Sequence, residues 1–273
     1  MNDPIHICLI SDEAYGPRLV VTLASIAASS APDDRLFFYI VDGGISDADK
    51  RNIALLGRIR QFSCVYIETS EEKIGGFPRH RCAPCAYYRV LLPELLPHLD
   101  KLIYLDCDLI VLKSLRELWE TDVSTAGIAA ARDFIDYVKD EEKNFFHLAR
   151  IGFDIRRHYI NSGVMLMNLA RMRAMGFAEK FFRARAELDG LIRFSDQDIF
   201  NHLFQNDLVL LAQGWNFQSN LPLLPEEKMN AAELDVAVIH YTTGAKPWLP
   251  DALCYFKEYY TQIEELVEKL AAT

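Results

Sequence analysis

Two carboxylates, one residue apart, interrupt an otherwise apolar run in the middle of the chain, Tyr104-Leu105-Asp106-Cys107-Asp108-Leu109-Ile110-Val111-Leu112. An apolar run of this kind predicts a buried strand of a parallel sheet. Ionised carboxylates are not tolerated inside such a strand unless something offsets their desolvation. We therefore expect the strand to end at Asp106. The two acids are then expected to meet a divalent cation at the carboxyl edge of the sheet, where open α/β sheets bind ligands.

The pattern around this run alternates strands with helices. Apolar strand patterns are found at 5–10, 35–41, 64–67, 102–105, 127–131, 163–169, 208–211 and 236–241. Helical spacing is found at 19–27, 46–56, 199–204 and in the last twenty residues. Ser46, with acids at Asp47 and Asp49, is expected to cap the helix that runs through Leu56. A further helix is expected to begin at 86 and to stop near Pro93 and Pro97. The alternation predicts an α/β fold with a mostly parallel central sheet flanked by helices. We expect one catalytic α/β domain over 1–250 and an amphipathic helix packed on it over 251–273.

Composition narrows the classes of function. The 273-residue chain is 51% hydrophobic and carries a net charge of −10, so a nucleic-acid partner is not expected. Its acidic balance also disfavours permanent adhesion to an anionic membrane. The N-terminus has no basic region before a short apolar stretch, and no run approaches the length of a membrane span. These features predict a cytoplasmic protein with at most peripheral contact at the inner face of the membrane.

Cys82-Ala83-Pro84-Cys85 forms a CxxC pattern. A zinc site needs a second ligand pair at suitable spacing, and the sequence offers none. A redox-active pair would be expected to open a helix after the first strand. Incidental or structural thiols are the favoured interpretation, and redox or metal chemistry stays open as the alternative.

Several other polar residues stand at predicted strand or loop edges. His240 ends the last strand, and Lys246 follows it in a loop, where a lysine could neutralise a phosphate. Each such residue also has a plain structural interpretation, such as a turn at Asn161-Ser162-Gly163 or a helix N-terminus capped by Ser195. Dinucleotide, P-loop, zinc-protease and serine-hydrolase signatures are absent from the sequence.

Four segments together make the chain resemble glycosyltransferase family 8, which includes bacterial lipooligosaccharide galactosyl- and glucosyltransferases. They are Tyr104-Leu105-Asp106-Cys107-Asp108, the stretch from Tyr159 to Leu169, Asp196-Gln197-Asp198, and the stretch from His240 to Trp248. The resemblance runs from about Ile5 to Trp248. It implies a nucleotide-diphospho-sugar transferase (GT-A-like) fold, a Mn²⁺ or Mg²⁺ ion, UDP-galactose or UDP-glucose as donor, and a saccharide or lipid-linked saccharide acceptor such as lipopolysaccharide core.

The resemblance also implies roles for individual residues. Asp106, Asp108 and His240 would hold the metal. Donor-binding residues would be Asp12, Tyr15, Arg89, Asp106, Asn161, Gly163, Asp196, Gln197, Gly244 and Lys246. Asp133, Phe194 and Thr243 would face the acceptor. Asp196, Gln197 and Arg89 would be catalytic.

The family transfers sugars with retention at the anomeric carbon. Retaining glycosidases use a carboxylate nucleophile, but no carboxylate here is clearly placed for that task, and the amide of Gln197 is a poor nucleophile. We therefore expect a front-face, ion-pair-like displacement. A haloacid-dehalogenase-like phosphatase, which also ends a strand with two acids, and an inactive sugar-nucleotide-binding module remain alternatives.

Overall fold

The computed structural model describes residues 3–68, 84–228 and 234–272, which divide into two compact units. The first unit comprises the described residues of Met1–Thr69, Leu105–Glu120 and Ala212–Thr273. The second comprises those of Ser70–Tyr104 and Thr121–Leu211. The single catalytic domain over 1–250 stays a prediction. Cys82 lies outside the described residues, so the chemistry of the Cys82–Cys85 pair stays a prediction as well.

The strands are β1 (Ile5–Asp12), β2 (Leu36–Gly43), β3 (Phe62–Glu68), β4 (Lys101–Leu105), β5 (Leu109–Val111), β6 (Ile128–Arg132), β7 (Ile160–Asn168), β8 (Leu208–Leu210), β9 (Phe217–Gln218) and β10 (Val238–His240). The α-helices are α1 (Gly16–Ser29), α2 (Asp47–Leu55), α3 (Leu92–Leu95), α4 (Arg116–Glu120), α5 (Phe134–Tyr137), α6 (Glu142–Arg150), α7 (Leu169–Ala174), α8 (Phe177–Glu187), α9 (Ser195–Phe204) and α10 (Lys257–Ala271). Short 3-10 helices lie at Leu56–Arg58, Pro84–Leu91, Gln213–Asn216, Leu221–Leu223 and Glu226–Lys228.

The first unit contains strands from two sheets. β3, β2 and β1 lie side by side in that order and run parallel, so that Asp12 pairs with Gly43 at their common carboxyl edge. In the smaller sheet β10 lies between β5 and β9, antiparallel to β5 and parallel to β9. The run predicted as a strand thus ends at Leu105, and the apolar residues after the acid pair form a separate strand in the smaller sheet.

Apolar faces of α1 and α10 pack on the smaller sheet within the first unit. Val21, Ile110, Ile239, Tyr241 and Tyr260 form one buried cluster there. Burial of apolar surface at about 25 cal/mol per Å² makes such a cluster the main stabiliser of this packing. Among the described residues, no helix is both long and apolar enough to cross a membrane.

Local signals at the start of α1 and α2 explain where these helices begin. The Ser46 hydroxyl accepts a hydrogen bond from the backbone N–H of Asp49 at 3.1 Å, which confirms the predicted N-cap. Gly16 opens α1, and a Cβ there would collide with the carboxylate of Asp49. A side chain at residue 16 would therefore require the Asp49 carboxylate, which also accepts from the Ser46 hydroxyl at 2.6 Å, to move.

The second unit contains four strands in the order β4-β7-β6-β8. β6 runs antiparallel to β7 and parallel to β8. The turn considered at Asn161-Ser162-Gly163 is wrong, because these residues lie inside β7. Pro93 does not stop the helix, since it lies in the first turn of α3, where the missing N–H costs nothing. The helix ends at Leu95, two residues before Pro97, which is the second proline of the predicted stop.

The start of α9 also departs from the sequence-based interpretation. Ser195 does not cap the helix but is its first residue, and its φ of 51° lies in the left-handed region. Non-glycine residues in that region are uncommon and are held there by surrounding contacts. The strain lies directly before Asp196 and Gln197.

Candidate active site

Three potential metal ligands converge in the first unit. Asp106 and Asp108 follow β4, and His240 ends β10. One ligand atom from each lies within 4.8 Å of the others. The Nε2 atom of His240 is 3.2 Å from Asp108 Oδ1 and 3.7 Å from Asp106 Oδ2. Two carboxylate oxygens and an imidazole nitrogen form a donor set that suits Mn²⁺ or Mg²⁺, so the residues fit such an ion.

Lys246 extends this charged group. Its Nζ lies 2.5 Å from Asp108 Oδ2 and also donates to the backbone carbonyl of Tyr241. Burial alone would raise the pKa of Asp108, but the facing His240 and Lys246 outweigh it and hold this pKa below its ordinary value. Asp108 is therefore ionised at neutral pH, as a metal ligand must be.

The loop that carries the two acids is fixed by hydroxyl groups of α1. The hydroxyl of Thr22 lies 2.9 Å from the carbonyl of Cys107 and 3.0 Å from that of Leu109, on either side of Asp108. Ser25 accepts a hydrogen bond from the N–H of Val111 at 3.0 Å. Neither hydroxyl is among the residues predicted from the sequence. The available signal was two polar residues on the buried face of an otherwise apolar helix.

Asp12 and Tyr15 lie where β1 passes into α1. The N–H of Tyr15 donates to Asp12 Oδ1 at 3.0 Å, which holds the turn between strand and helix. The Tyr15 ring, 40% exposed, meets Trp248 edge-on at 6.0 Å. Burial raises the pKa of Tyr15; nearby Lys246 lowers it, and the negative charges of Asp108 and Asp106 raise it further. Tyr15 thus stands close to the charged group as well as to an aromatic ring.

Thr243 and Gly244 form the turn that leads to Lys246. The Thr243 hydroxyl accepts from the N–H of Ala245 at 3.2 Å, and the N–H of Lys246 donates to the Gly244 carbonyl at 3.1 Å. A Cβ on Gly244 would meet no atom within 4 Å. The turn therefore leaves open space beside Gly244.

A second group of predicted residues converges within the second unit. Arg89 Nε lies 3.1 Å from Asp196 Oδ2, and both side chains are buried. Arg89 also donates to the Ser162 carbonyl at 3.0 Å and stacks over the ring of Tyr104 at 4.6 Å. The side-chain oxygen of Gln197 accepts from the N–H of Ser162 at 3.1 Å. Arg89, Asp196 and Gln197 are thus joined through β7.

Asn161 and Asp133 are also joined in this unit. Asn161 donates to Asp133 Oδ2 at 2.9 Å and accepts from the N–H of Gly163 at 2.9 Å. The other oxygen of Asp133 accepts from the N–H of Ile135 at 2.9 Å, so Asp133 caps α5. The amide side chain is fixed at both ends by these contacts.

Asp198 belongs to the Asp196-Gln197-Asp198 segment of the family resemblance, which implied no separate role for it, and the structure shows it to be a buried acceptor. Its Oδ1 accepts from the Tyr159 hydroxyl at 2.6 Å and lies 3.1 Å from His147 Nε2. Its Oδ2 accepts from the N–H groups of Arg193 and Phe194 at 2.7 and 2.9 Å. Burial raises the pKa of Asp198, but His147, the Phe194 N–H and the Tyr159 hydroxyl outweigh it and lower the pKa. The carboxylate thereby fixes the segment that precedes Asp196.

The predicted site residues therefore form two groups. The first unit holds Asp12, Tyr15, Asp106, Asp108, His240, Thr243, Gly244 and Lys246. The second unit holds Arg89, Asp133, Asn161, Gly163, Phe194, Asp196 and Gln197.

Comparison with known proteins identifies the class. The model of glycosyl transferase family 8 matches residues 6–252, and the chain belongs to this family. A lipopolysaccharide 1,2-glucosyltransferase of Escherichia coli is 28% identical over 92% of this chain and 75% of its own length. General stress protein A of Bacillus subtilis is 24% identical over 95% of this chain and 92% of its own.

A solved structure of the galactosyltransferase LgtC, in complex with donor and acceptor sugar analogs, superposes with a TM-score of 0.83. The two sequences are 28% identical, and the superposition covers 96% of each chain. The fold is therefore the nucleotide-diphospho-sugar transferase (GT-A-like) fold that the sequence predicted. The family assignment favours the transferase hypothesis over the phosphatase alternative.

Proposed function

We propose that the protein is a metal-dependent, retaining hexosyltransferase that moves glucose or galactose from a UDP-sugar to a glycan acceptor. The observation that carries the proposal is the convergence of Asp106, Asp108 and His240, whose ligand atoms lie within 4.8 Å of one another. The lipopolysaccharide glucosyltransferase among the relatives supports lipopolysaccharide core as the acceptor. Such a reaction would take place in the cytoplasm, with at most peripheral contact with the inner face of the membrane.

Asp106, Asp108 and His240 would hold Mn²⁺ or Mg²⁺. Such an ion, when bound, neutralises negative charge on the diphosphate as the sugar–phosphate bond breaks. Lys246, 2.5 Å from Asp108, would add a positive point charge for the departing phosphate. Neither contribution needs a proton donor, which suits a leaving group as acidic as UDP. Asp12 and Tyr15 would bind the uracil base, and Gly244 leaves space for a phosphate beside the lysine.

Residues of the second unit would bind and orient the sugar. We assign hydroxyl contacts to Arg89, Asn161 and Asp196, close to Gly163, and the β face of the anomeric carbon to Gln197. Asp133, Phe194 and Thr243 would face the acceptor.

A front-face displacement fits the surroundings of Asp196. Its pairing with Arg89 at 3.1 Å makes this carboxylate a weaker nucleophile, because the guanidinium stabilises its negative charge. The amide of Gln197 is weaker still. Neither side chain therefore favours a covalent glycosyl–enzyme, and positive charge on the sugar ring would instead be balanced by the departing diphosphate.

A donor panel tests the proposal without knowledge of the acceptor. Each UDP-hexose is incubated with the protein and Mn²⁺, and slow release of UDP by hydrolysis is measured. We expect release of UDP from UDP-glucose or UDP-galactose. We expect no release of inorganic phosphate from small phosphoesters, which a phosphatase would hydrolyse. Metal-dependent UDP binding without release from any donor, with or without glycan acceptors, would indicate the inactive binding module.

The metal assignment is tested separately by calorimetry of UDP binding with Mn²⁺. Asp108→Asn should abolish Mn²⁺-dependent UDP binding, because one ligand charge is lost. Asp207→Asn is the matched control, since Asp207 pairs with Arg171 on the surface of the second unit at 2.8 Å. Unchanged affinity in Asp108→Asn would contradict the metal site.

A further inference from the structure

His240 is held from both sides of its ring. Its Nε2 faces Asp106 and Asp108, while its Nδ1 lies 2.9 Å from the side-chain oxygen of Asn216. Asn216 is 0% exposed and His240 is 3% exposed, so water cannot readily replace this contact. An amide oxygen only accepts hydrogen bonds. Its contact therefore places a proton on Nδ1, so that in the neutral ring the Nε2 lone pair faces the two carboxylates.

Asn216 is itself fixed by the backbone around it. It ends the 3-10 helix Gln213–Asn216, directly before β9, which pairs in parallel with β10. The side chain of Gln213 donates to the Asn216 carbonyl at 2.8 Å. Gly214 packs so tightly that a Cβ there would collide with the backbone carbonyl of Asp235. The N–H of Ala237 donates to the Gly214 carbonyl at 2.8 Å, which ties the 3-10 helix to the segment entering β10.

A lone pair that faces two carboxylates is unfavourable unless a positive charge, from a metal ion or from a second proton on the ring, lies between them. The arrangement at His240 is thus built for a positive charge rather than for a neutral hydrogen-bond network. Histidine ligands commonly donate the N–H of their second ring nitrogen to an acceptor. This hydrogen bond fixes the ring and raises its basicity as a ligand.

We propose that Asn216 is a positioning residue for the metal, which fixes the ring orientation and the tautomer of His240. The inference rests on the proposed metal site and adds a residue outside the ligand set. Asn216 acts through His240 and need not touch the ion or the substrate.

The test measures binding of Mn²⁺ alone, followed by loss of the free-ion signal in electron paramagnetic resonance. Asn216→Ala removes the acceptor and should weaken Mn²⁺ binding by about 10- to 100-fold, the usual effect of losing such a partner. Asn216→Asp keeps an oxygen acceptor at the same place and should retain most of the affinity. Asn144→Ala is the matched control: Asn144 is another buried asparagine, whose contacts at 2.9 and 3.2 Å involve Val138 and Arg193 in the second unit.

The outcomes separate this inference from the proposed function. Wild-type affinity in a folded Asn216→Ala, or an equal loss in Asn216→Ala and Asn216→Asp, would overturn the positioning role. If His240→Ala loses Mn²⁺ while Asn216→Ala keeps it, the metal site stands and only this inference fails. If the wild-type protein binds no Mn²⁺, the proposed function fails first.

A measurement on the unmutated protein keeps the inference testable if Asn216→Ala does not fold. Long-range nitrogen–proton NMR distinguishes the two imidazole tautomers, and His240 can be assigned by the loss of its signals in His240→Gln. We expect the proton on Nδ1. A proton on Nε2 of the neutral ring would show that the Asn216 oxygen is not the acceptor, and would refute the proposal.

Discussion

Replacement of Asp198 by alanine removes the acceptor for four donors at once. The Tyr159 hydroxyl, His147 and the N–H groups of Arg193 and Phe194 all lie within 3.1 Å of its carboxylate oxygens. A buried donor left unpaired costs about 1–3 kcal/mol. Water can enter the space left by the carboxylate and recover part of this cost. We therefore expect a loss of about 3–5 kcal/mol in the free energy of unfolding, as when one partner of a buried ionic network is removed.

Asp198→Asn separates the loss of charge from the loss of acceptors. The amide oxygen can still accept from the two backbone N–H groups, while its NH₂ group can donate to the Tyr159 oxygen. Each of the two retained bonds falls from the strength of a charged acceptor to that of a neutral one, about 1 kcal/mol each. We expect Asp198→Asn to lose about 2 kcal/mol on that basis.

Two measurements check this reasoning. Urea unfolding followed by circular dichroism gives the stability of each variant. Hydrogen exchange reports locally on the amide protons of Arg193 and Phe194, which should stay protected in Asp198→Asn and exchange rapidly in Asp198→Ala. Equal losses in the two variants, or unchanged protection in Asp198→Ala, would refute the assignment of four donors to this carboxylate.

The pH dependence has a defined sign. The pKa of Asp198 is lowered in the folded protein, so its contribution is present above the unfolded pKa of about 3.9 and is lost as pH falls through the folded value. The stability difference between the wild-type protein and Asp198→Asn should therefore be present at pH 5 and shrink below about pH 4. A difference that grows on acidification would contradict the lowered pKa.

Three further outcomes are expected. Lys246→Ala should weaken UDP binding more than uridine binding by calorimetry, because uridine lacks the diphosphate; an equal loss would remove the diphosphate role of this lysine. Thr22→Val should lower stability by about 1–2 kcal/mol in urea and weaken Mn²⁺ binding, since two carbonyls beside Asp108 lose their donor; unchanged Mn²⁺ affinity would separate α1 from the metal loop. Gly214→Ala should destabilise by about 1–3 kcal/mol through its collision with a backbone carbonyl, whereas Gly57→Ala, with nothing nearer than 3.9 Å, should be neutral or stabilising; equal effects would refute the packing argument.

Local signals in the sequence predicted the elements well where a single segment decides the outcome. The strand before Asp106 ends where desolvation of the carboxylates requires, and Ser46 caps α2 as its spacing with Asp49 predicts. Both results depend on residues within a few positions of each other. The α/β class followed from the same local patterns, because strand and helix periods are properties of short windows.

Contacts between distant segments could not be predicted in this way. Asn216 lies 24 residues before His240, and Thr22 lies 85 residues before Cys107. No periodicity links such pairs, so their partners appear only in the folded chain. The four donors that converge on Asp198 could not be predicted either, because an acid in the first turn of a helix is common for dipole reasons alone.

The backbone conformation at Ser195 could not be predicted from local sequence either. A serine before two acids is a typical N-cap, yet here it is the first helical residue at positive φ. The contacts of Asp198 with the preceding N–H groups hold the chain in this conformation. The backbone conformation at Ser195 is therefore determined by tertiary contacts, which the sequence pattern does not contain.

Helix α1 carries Tyr15 at its start and Thr22 two turns later, about 10 Å along the axis. The start of the helix contacts an aromatic ring beside the candidate base-binding residues, and its middle holds the carbonyls around Asp108. A rigid rod joined to both places cannot move at one end alone. Any substitution that tilts this helix to accommodate another base must therefore also displace the acid loop, which constrains how far donor preference can drift by changes at Tyr15 without loss of cation affinity.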